Sequence, residues 1–392
     1  MKKNKFLYST ILLQSLFIQQ SHASFFDPID GQFDIGQHLA ENAYGFLPIP
    51  ILITEPAVGY GGGVMGLFLH ESQEDKDKRK ALAETSLDGG AQLMPAAITL
   101  AGAAGTANGT WFAFAGHQHS WLKDSIRYIG GGGVGKANLD IYYDFSSGKT
   151  LKFNTETEGI FGFQKLQFRI AQTPLMLGMK QIIAKSSVSS DSEIVDGFLK
   201  LFLGEDSFTS GLGVTAVYDT RNNIFFPTNG YSVGAEYMIY DDAIGSDWNY
   251  HNFDLSGEGY IPLAEKWILA FAGNYQYFSS DETFLPPTVR PYVDLRGVPS
   301  YRYQGDEVAA IQSQITYKIT PRWLVSAFYG KGFTTTSREN DLIQLDDVTD
   351  SIDAYGVGFR YQIARRYGLY LGADIASSGD DNALYFNVGS GF

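Results

Sequence analysis

The sequence predicts an all-β fold, a closed antiparallel transmembrane β-barrel of about sixteen strands. Three observations predict it. Apolar and polar residues alternate in segments of about ten residues, Tyr and Trp gather near the ends of the apolar faces, and short turns alternate with long polar stretches.

Alternation is clearest at the C-terminal end. Ala309, Ile311, Ser313, Ile315, Tyr317 and Ile319 interleave with Ala310, Gln312, Gln314, Thr316 and Lys318. Tyr355, Val357, Phe359, Tyr361 and Ile363 interleave with Gly356, Gly358, Arg360 and Gln362. The same holds for Tyr367 to Ile375 against Gly368, Tyr370, Gly372 and Asp374, and for Leu384 to Phe392 against Tyr385, Asn387, Gly389 and Gly391. A face carrying Lys318, Arg360 and Asp374 suits a wet lumen better than the shared core of a sandwich, so the apolar face is assigned to lipid.

Twelve further segments have this character: 322–334, 266–278, 249–261, 231–241, 209–220, 175–187, 154–171, 138–146, 125–136, 110–120, 92–104 and 57–70. With the C-terminus in the periplasm, the long stretches 71–91, 188–208, 279–305 and 335–350 fall outside, and turns such as Gln172-Thr173-Pro174 fall inside. That asymmetry is the one expected of outer-membrane barrels. The count requires 194–203 to be loop.

Lys2, Lys3 and Lys5, the apolar stretch Phe6 to Ile18 and the small residues Ser21 and Ala23 make residues 1–23 a signal peptide. Residues 24–56, with Pro28, Pro48, Pro50 and Pro56, read as an extended lead-in with a short helix over 34–43, and 57–392 as the barrel. No later stretch reaches the roughly 18 apolar residues that a membrane helix needs, so a membrane chain must satisfy its backbone between strands. The 44 Gly and 52 Phe plus Tyr (28 + 24) fit crowded walls and aromatic girdles. The absence of Cys excludes disulfides and thiolate-bound metal, and the net charge of −14 argues against nucleic acid as a partner.

Three motifs resemble the bacterial surface antigen family, the BamA/TamA-like outer-membrane assembly and translocation barrels. YDTRNNIFFPTNGY (218–231), with Asp219, Arg221, Pro227 and Gly230, is similar to that family's periplasmic hairpin. LRGVPSYRYQGD (295–306) is similar to its Val-Arg-Gly loop, which implies that Leu295, Arg296 and Gly297 fold back from outside into the lumen. LYFNVGSGF (384–392) resembles its C-terminal recognition strand, with Phe386, Val388 and Phe392 read by the barrel-insertion machinery. The chain departs from the family in three ways. Residues 24–56 cannot hold a periplasmic docking (POTRA) repeat, and Gly330 and Gln314 stand where relatives carry the acids that meet the loop Arg. An Arg in a lumen needs a counter-charge. Glu236, Asp254, Glu258 and Asp374 point inward by alternation and are the candidates.

The resemblance implies a barrel that assists insertion or movement of protein or lipid at the outer membrane, without nucleotide or cofactor. Its partners would be outer-membrane lipid and lipopolysaccharide, the insertion machinery and protein clients. The expected handle is the seam between first and last strands, loosened by Gly61, Gly62, Gly63, Gly389 and Gly391. Alternatives are a passive or plugged pore and a surface structural protein. No catalytic site emerges. GGGVMG (61–66) lies inside a strand and not between a strand and a helix, so it is no dinucleotide fingerprint. His117 and His119 share a strand face, expected at the external end, and read as polar rim rather than metal ligands.

Overall fold

The computed structural model describes residues 25–27, 29–36, 46–54, 57–75, 77–78, 81, 97–144, 150–203, 206–282, 285–286, 288–337, 347–379 and 381–391. The expected signal peptide, residues 37–43 of the expected helix and Phe392 lie outside them.

The fold is one antiparallel sheet of sixteen strands paired in sequence order. They are β1 (Phe46–Ile53), β2 (Gly61–His70), β3 (Ala97–Thr106), β4 (Trp111–Trp121), β5 (Ile126–Asp144), β6 (Thr150–Arg169), β7 (Leu175–Ser189) and β8 (Ser207–Asp219). The second half comprises β9 (Gly230–Tyr240), β10 (Tyr250–Ala264), β11 (Trp267–Ser279), β12 (Glu307–Lys318), β13 (Trp323–Thr336), β14 (Val348–Ala364), β15 (Leu369–Ser378) and β16 (Asn382–Val388). β1 and β16 are neighbours, yet among the described residues no ladder joins them.

The two faces separate as alternation requires. Ile311, Val357 and Ile375 are 61%, 58% and 63% exposed on the outside, although each is apolar. In water that would be a liability, but in a bilayer it is the lipid-facing band. Trp111 and Trp121 bracket the outer face of β4. The pairs Trp267–Tyr317 and Trp323–Tyr361, with ring centroids 4.7 Å apart in each, mark the periplasmic interface. The residues that alternate with these outward ones along the strands, such as Leu324 and Ala310, are buried inside.

Two expectations about the strands need correction, and in the total they cancel. The segments 125–136 and 138–146 are one strand, β5, which hydrogen-bonds β6 without interruption from Ile126↔Phe168 to Asp144↔Thr150. At 19 and 20 residues these strands exceed what the bilayer needs, so the hairpin projects beyond it. The additional strand is β1, inside the stretch expected to precede the barrel.

Adding β1 reverses the direction expected of β2, β3, β4 and the first part of β5. The chain therefore leaves β2 at the periplasmic end, not the external end expected for 71–91, and His117 and His119 sit toward the periplasmic end of β4. Among the described residues no cluster of His, Asp or Glu could hold a metal ion. The stretch 194–203, expected as loop, is an external helix, α1 (Glu193–Leu203), whose Lys200 pairs with Asp196 one turn back.

Candidate functional site

Three features lie near the seam: the external loop 280–306 and the inturned C-terminal tail inside the lumen, and a charged clasp at the periplasmic mouth.

The loop enters the barrel. Val293, Leu295 and Val298 are buried against Val308, Ala310, Ile352 and Ala354 of β12 and β14. This apolar anchoring carries Arg296 to the wall. Its Nη1 donates to Asp374 at 2.7 Å, and its Nη2 donates to Gln312 at 3.2 Å and Gln314 at 3.1 Å. The guanidinium carbon stands 3.6 Å from the centre of the Phe328 ring, a stacked cation–π contact. Burial in the loop's pocket lowers the Arg296 pKa from its ordinary value, and Asp374 opposes that shift. Gly297 has φ +96°, and a Cβ there would meet β15 at 3.1–3.2 Å, so the tight approach calls for Gly. Its N–H donates to the Tyr385 hydroxyl at 2.9 Å.

Of the four candidate carboxylates, only Asp374 touches Arg296. Glu236 meets Lys180, Asp254 accepts from Gln276, and Glu258 meets Arg221 and Tyr260. The position that alternation marks as Gly330 is filled by the loop itself: an ideal Cβ there would stand 3.0 Å from Leu295 Cδ2. Gln314 keeps its place at the Arg but contributes an amide oxygen instead of a charge.

Asp374 is fully buried and serves two cations. Arg360, an inward residue of β14, donates to both its oxygens at 2.7 and 2.8 Å, and Asn387 of β16 adds a third donor at 2.7 Å. Two guanidinium groups around one carboxylate leave a surplus positive charge. Backbone oxygens absorb it: Arg360 also donates to the Gly389 and Ser390 carbonyls. Those carbonyls are available because the chain turns inward after β16, with Gly389 and Gly391 at φ +102° and +97°.

The seam therefore differs from the expectation. Gly61, Gly62 and Gly63 lie in β2, fully paired with Ile53, Leu52 and Ile51 of β1. Gly389 and Gly391 lie beyond the last ladder, in the tail. Phe386 and Val388 face lipid on β16. The seam is bordered by β1, whose ladder to β2 is continuous over eight residues. Since Pro48 and Pro50 have no N–H, that ladder must use the donors of Leu47, Ile49, Ile51 and Ile53. The even-numbered residues then turn their backbone to the seam, where only Phe46 and Leu52 retain a donor. Proline on an edge strand, missing donor outward, is a common way to blunt pairing.

The periplasmic hairpin is a ten-residue connection between Asp219 and Gly230. Arg221 donates to both oxygens of Asp219, at 2.9 and 2.7 Å, and also meets Glu258. Asn222 accepts from the Thr228 and Asn229 amides, closing the loop. Gly230 has φ +95°. Pro227 is buried, and Phe226 packs into the mouth against Ile268 and Leu324.

The clasp was not anticipated. Asp27, Asp30 and Asp34 each spend one carboxylate oxygen on an amide two residues ahead, folding 25–36 into a compact turn. The other oxygens, and for Asp30 both, grip Arg322, from the turn between β12 and β13. Its Nη1 donates to Asp34 and the Gln362 carbonyl, its Nη2 to Asp27 and Asp30, and its Nε to Asp30. All five of its N–H donors are used. Arg365, beside the next periplasmic turn, holds Asp27 as well. Burial pushes the Asp27 pKa up, but hydrogen bonding and charge from Arg365 and Arg322 outweigh it and hold the carboxyl below its ordinary 3.8. Just inside, Ile35 joins Ile49, Leu67 and Leu69 to Ala364, Tyr367 and Leu369, so apolar contact bridges both sides of the seam at its periplasmic end.

A sixteen-stranded barrel with an aromatic-belted lipid face, an inward loop and, among the described residues, no ladder closing its seam has the architecture of an outer-membrane β-barrel. Residues 203–364 match the Omp85 superfamily domain. No curated protein matches the chain by sequence. Among solved structures, BamA from Haemophilus ducreyi lacking POTRA domains 1-3 shares 14% identity at a TM-score of 0.56, over 88% of this chain and 68% of that one. CdiB from Escherichia coli (8%, TM-score 0.55) and CdiB from Acinetobacter baumannii (11%, 0.53) are each covered over 62% and 59% of their length by 88% of this chain. The chain thus spans about three fifths of the CdiB proteins it matches, and at these identities the likeness is one of fold.

Proposed function

We propose that the barrel assists insertion or translocation of protein or lipid at the outer membrane by parting its seam. The observation that carries this reading is that, among the described residues, no ladder joins β1 and β16, in a sheet whose other fifteen junctions are all paired. An unpaired edge can open at little cost in hydrogen bonds, and polar and apolar contacts hold the loop and tail against the inner wall beside it. Outer-membrane lipid, lipopolysaccharide in the outer leaflet and the insertion machinery acting on β16 are the partners this reading calls for, with protein clients at the seam. The match of residues 203–364 to the Omp85 superfamily domain and the fold shared with BamA and CdiB support it.

The test is a series of disulfides, each with one cysteine in Phe46–Ile53 and one in Asn382–Val388, in a chain that has no Cys of its own. Reconstituted barrels locked by oxidation should lose client insertion and regain it on reduction. Undiminished activity in the locked barrel would overturn the reading. The plugged-pore alternative has one observation in its favour, the buried loop segment Val293–Leu295–Val298. It requires that conductance in planar bilayers appear when 285–303 is deleted while insertion activity is absent in the intact chain.

A further inference from the structure

We propose that the turn formed by residues 25–27 and 29–36 is a lipid-anchored foot, with Phe26, Ile29 and Phe33 seated in the periplasmic leaflet of the membrane around the barrel rim. The turn is two-faced. Its acids, Asp27, Asp30 and Asp34, all face Arg322 and Arg365. Apolar residues beside them are exposed: Phe26 is 59% exposed, and Ile29 and Phe33 are each 43% exposed. The rings form one patch, with Phe25 stacked on Phe33 at 6.3 Å and Phe26 edge-on to it at 6.4 Å.

The position of this patch selects its occupant. The Phe33 carbonyl accepts from the Tyr361 hydroxyl at 2.6 Å. Tyr361 lies on the lipid face of β14 and packs against Trp323, in the periplasmic aromatic belt. The patch therefore continues an interface already given to lipid, at the depth where aromatic rings prefer the headgroup boundary. A short two-faced element with aromatics on one side and charge on the other fits the interfacial plane. Here the charged side is spent on the barrel instead of on headgroups, which fixes the foot's height. Exposed to water, the patch would be an association liability; in lipid it steadies the chain just ahead of β1.

The absence of native Cys makes the test clean. Single nitroxide labels at Phe26→Cys, Ile29→Cys and Phe33→Cys are placed in the full mature chain in phosphatidylethanolamine/phosphatidylglycerol liposomes. Leu384→Cys serves as lipid reference and Ser192→Cys as water reference. Oxygen and a nickel chelate compete as relaxing agents in electron paramagnetic resonance. The expected result is an oxygen-over-nickel preference at all three foot positions, between the references and nearer to Leu384. Nickel access equal to that at Ser192 overturns the proposal in favour of a solvated turn. Exclusion of both reagents overturns it in favour of a protein cover, such as a second copy. If one variant fails to fold, the other two positions carry the same decision.

Discussion

Arg296 and Asp374 meet at 2.7 Å across 78 residues of sequence, and the carboxylate between them and Arg360 has no exposed surface. The pair ties a loop that begins outside the cell to a strand one removed from the seam. Burying three charges gains little net stability against an apolar alternative, but removing one member leaves the others uncompensated. Asp374→Asn should therefore cost about 3–5 kcal/mol, the range for breaking a buried pair, because two guanidinium groups would face an amide. Arg296→Ala should cost less, since Arg360 still neutralises Asp374. Urea unfolding of both variants and the double variant checks this, with a coupling of about 0.5–3 kcal/mol expected for groups in contact. Wild-type stability in Arg296→Ala would show that the loop is held by its apolar residues alone.

Gly330→Asp distinguishes two readings of the same contact. If the lumen had room, an acid here would give Arg296 a second counter-charge and stabilise the loop. The geometry is tight: a Cβ would meet Leu295 Cδ2 at 3.0 Å and Gln312 Cβ at 3.1 Å, so both neighbours would have to give way. Overpacking of this kind costs about 1–3 kcal/mol. Lower stability and greater protease cutting within 280–306 are the expected outcomes, and Leu295→Ala in the same chain should recover part of the loss.

How much of this was legible in the sequence depends on what each residue had to satisfy. From Glu307 to Val388 one strand face meets lipid and the other a wet lumen, so alternation is strict and the inward set, Arg360 and Asp374 included, could be read directly. It narrowed the partners of Arg296 to four acids, and geometry then chose one. β1 escaped because Pro48 and Pro50 argue against a strand, a rule that holds for paired strands and lapses at an edge. β5 was split because beyond the bilayer its outer face no longer needs to be apolar, as Lys136 and its pairing with Glu156 illustrate. The clasp joins residues 295 positions apart, Asp27 and Arg322, which no periodicity connects. Its only trace was three acids in a short segment and arginines in two short turns.

The clasp should weaken in acid. Asp27 has a folded pKa held below its ordinary 3.8, with burial opposing and Arg365 and Arg322 prevailing. A group depressed on folding contributes its full stability above the unfolded pKa and loses it as pH falls through the folded one. The turn should thus stay ordered at neutral pH and begin to loosen as pH drops below about 4, reaching its full loss only below the depressed value. A nitroxide at Ile29→Cys reports this as rising mobility over that window. Arg322→Ala should show the mobile spectrum already at pH 7, because three carboxylates are then left facing one another with Arg365 alone to serve them.

The seam prediction rests on the backbone instead of on charge. Pro48→Val and Pro50→Val together would restore two N–H donors to the edge of β1 that faces β16. Each hydrogen bond gained contributes about 0.5–1.5 kcal/mol net, and Val also suits a strand better than Pro. The double variant should unfold at higher temperature in detergent, and amides of 46–53 should exchange more slowly. If the seam must part for function, the same variant should insert or translocate clients more slowly than the native chain, in proportion to the added stability. A barrel that becomes more stable without losing activity would mean that its function does not pass between β1 and β16, and would leave the lumen and its loop as the route.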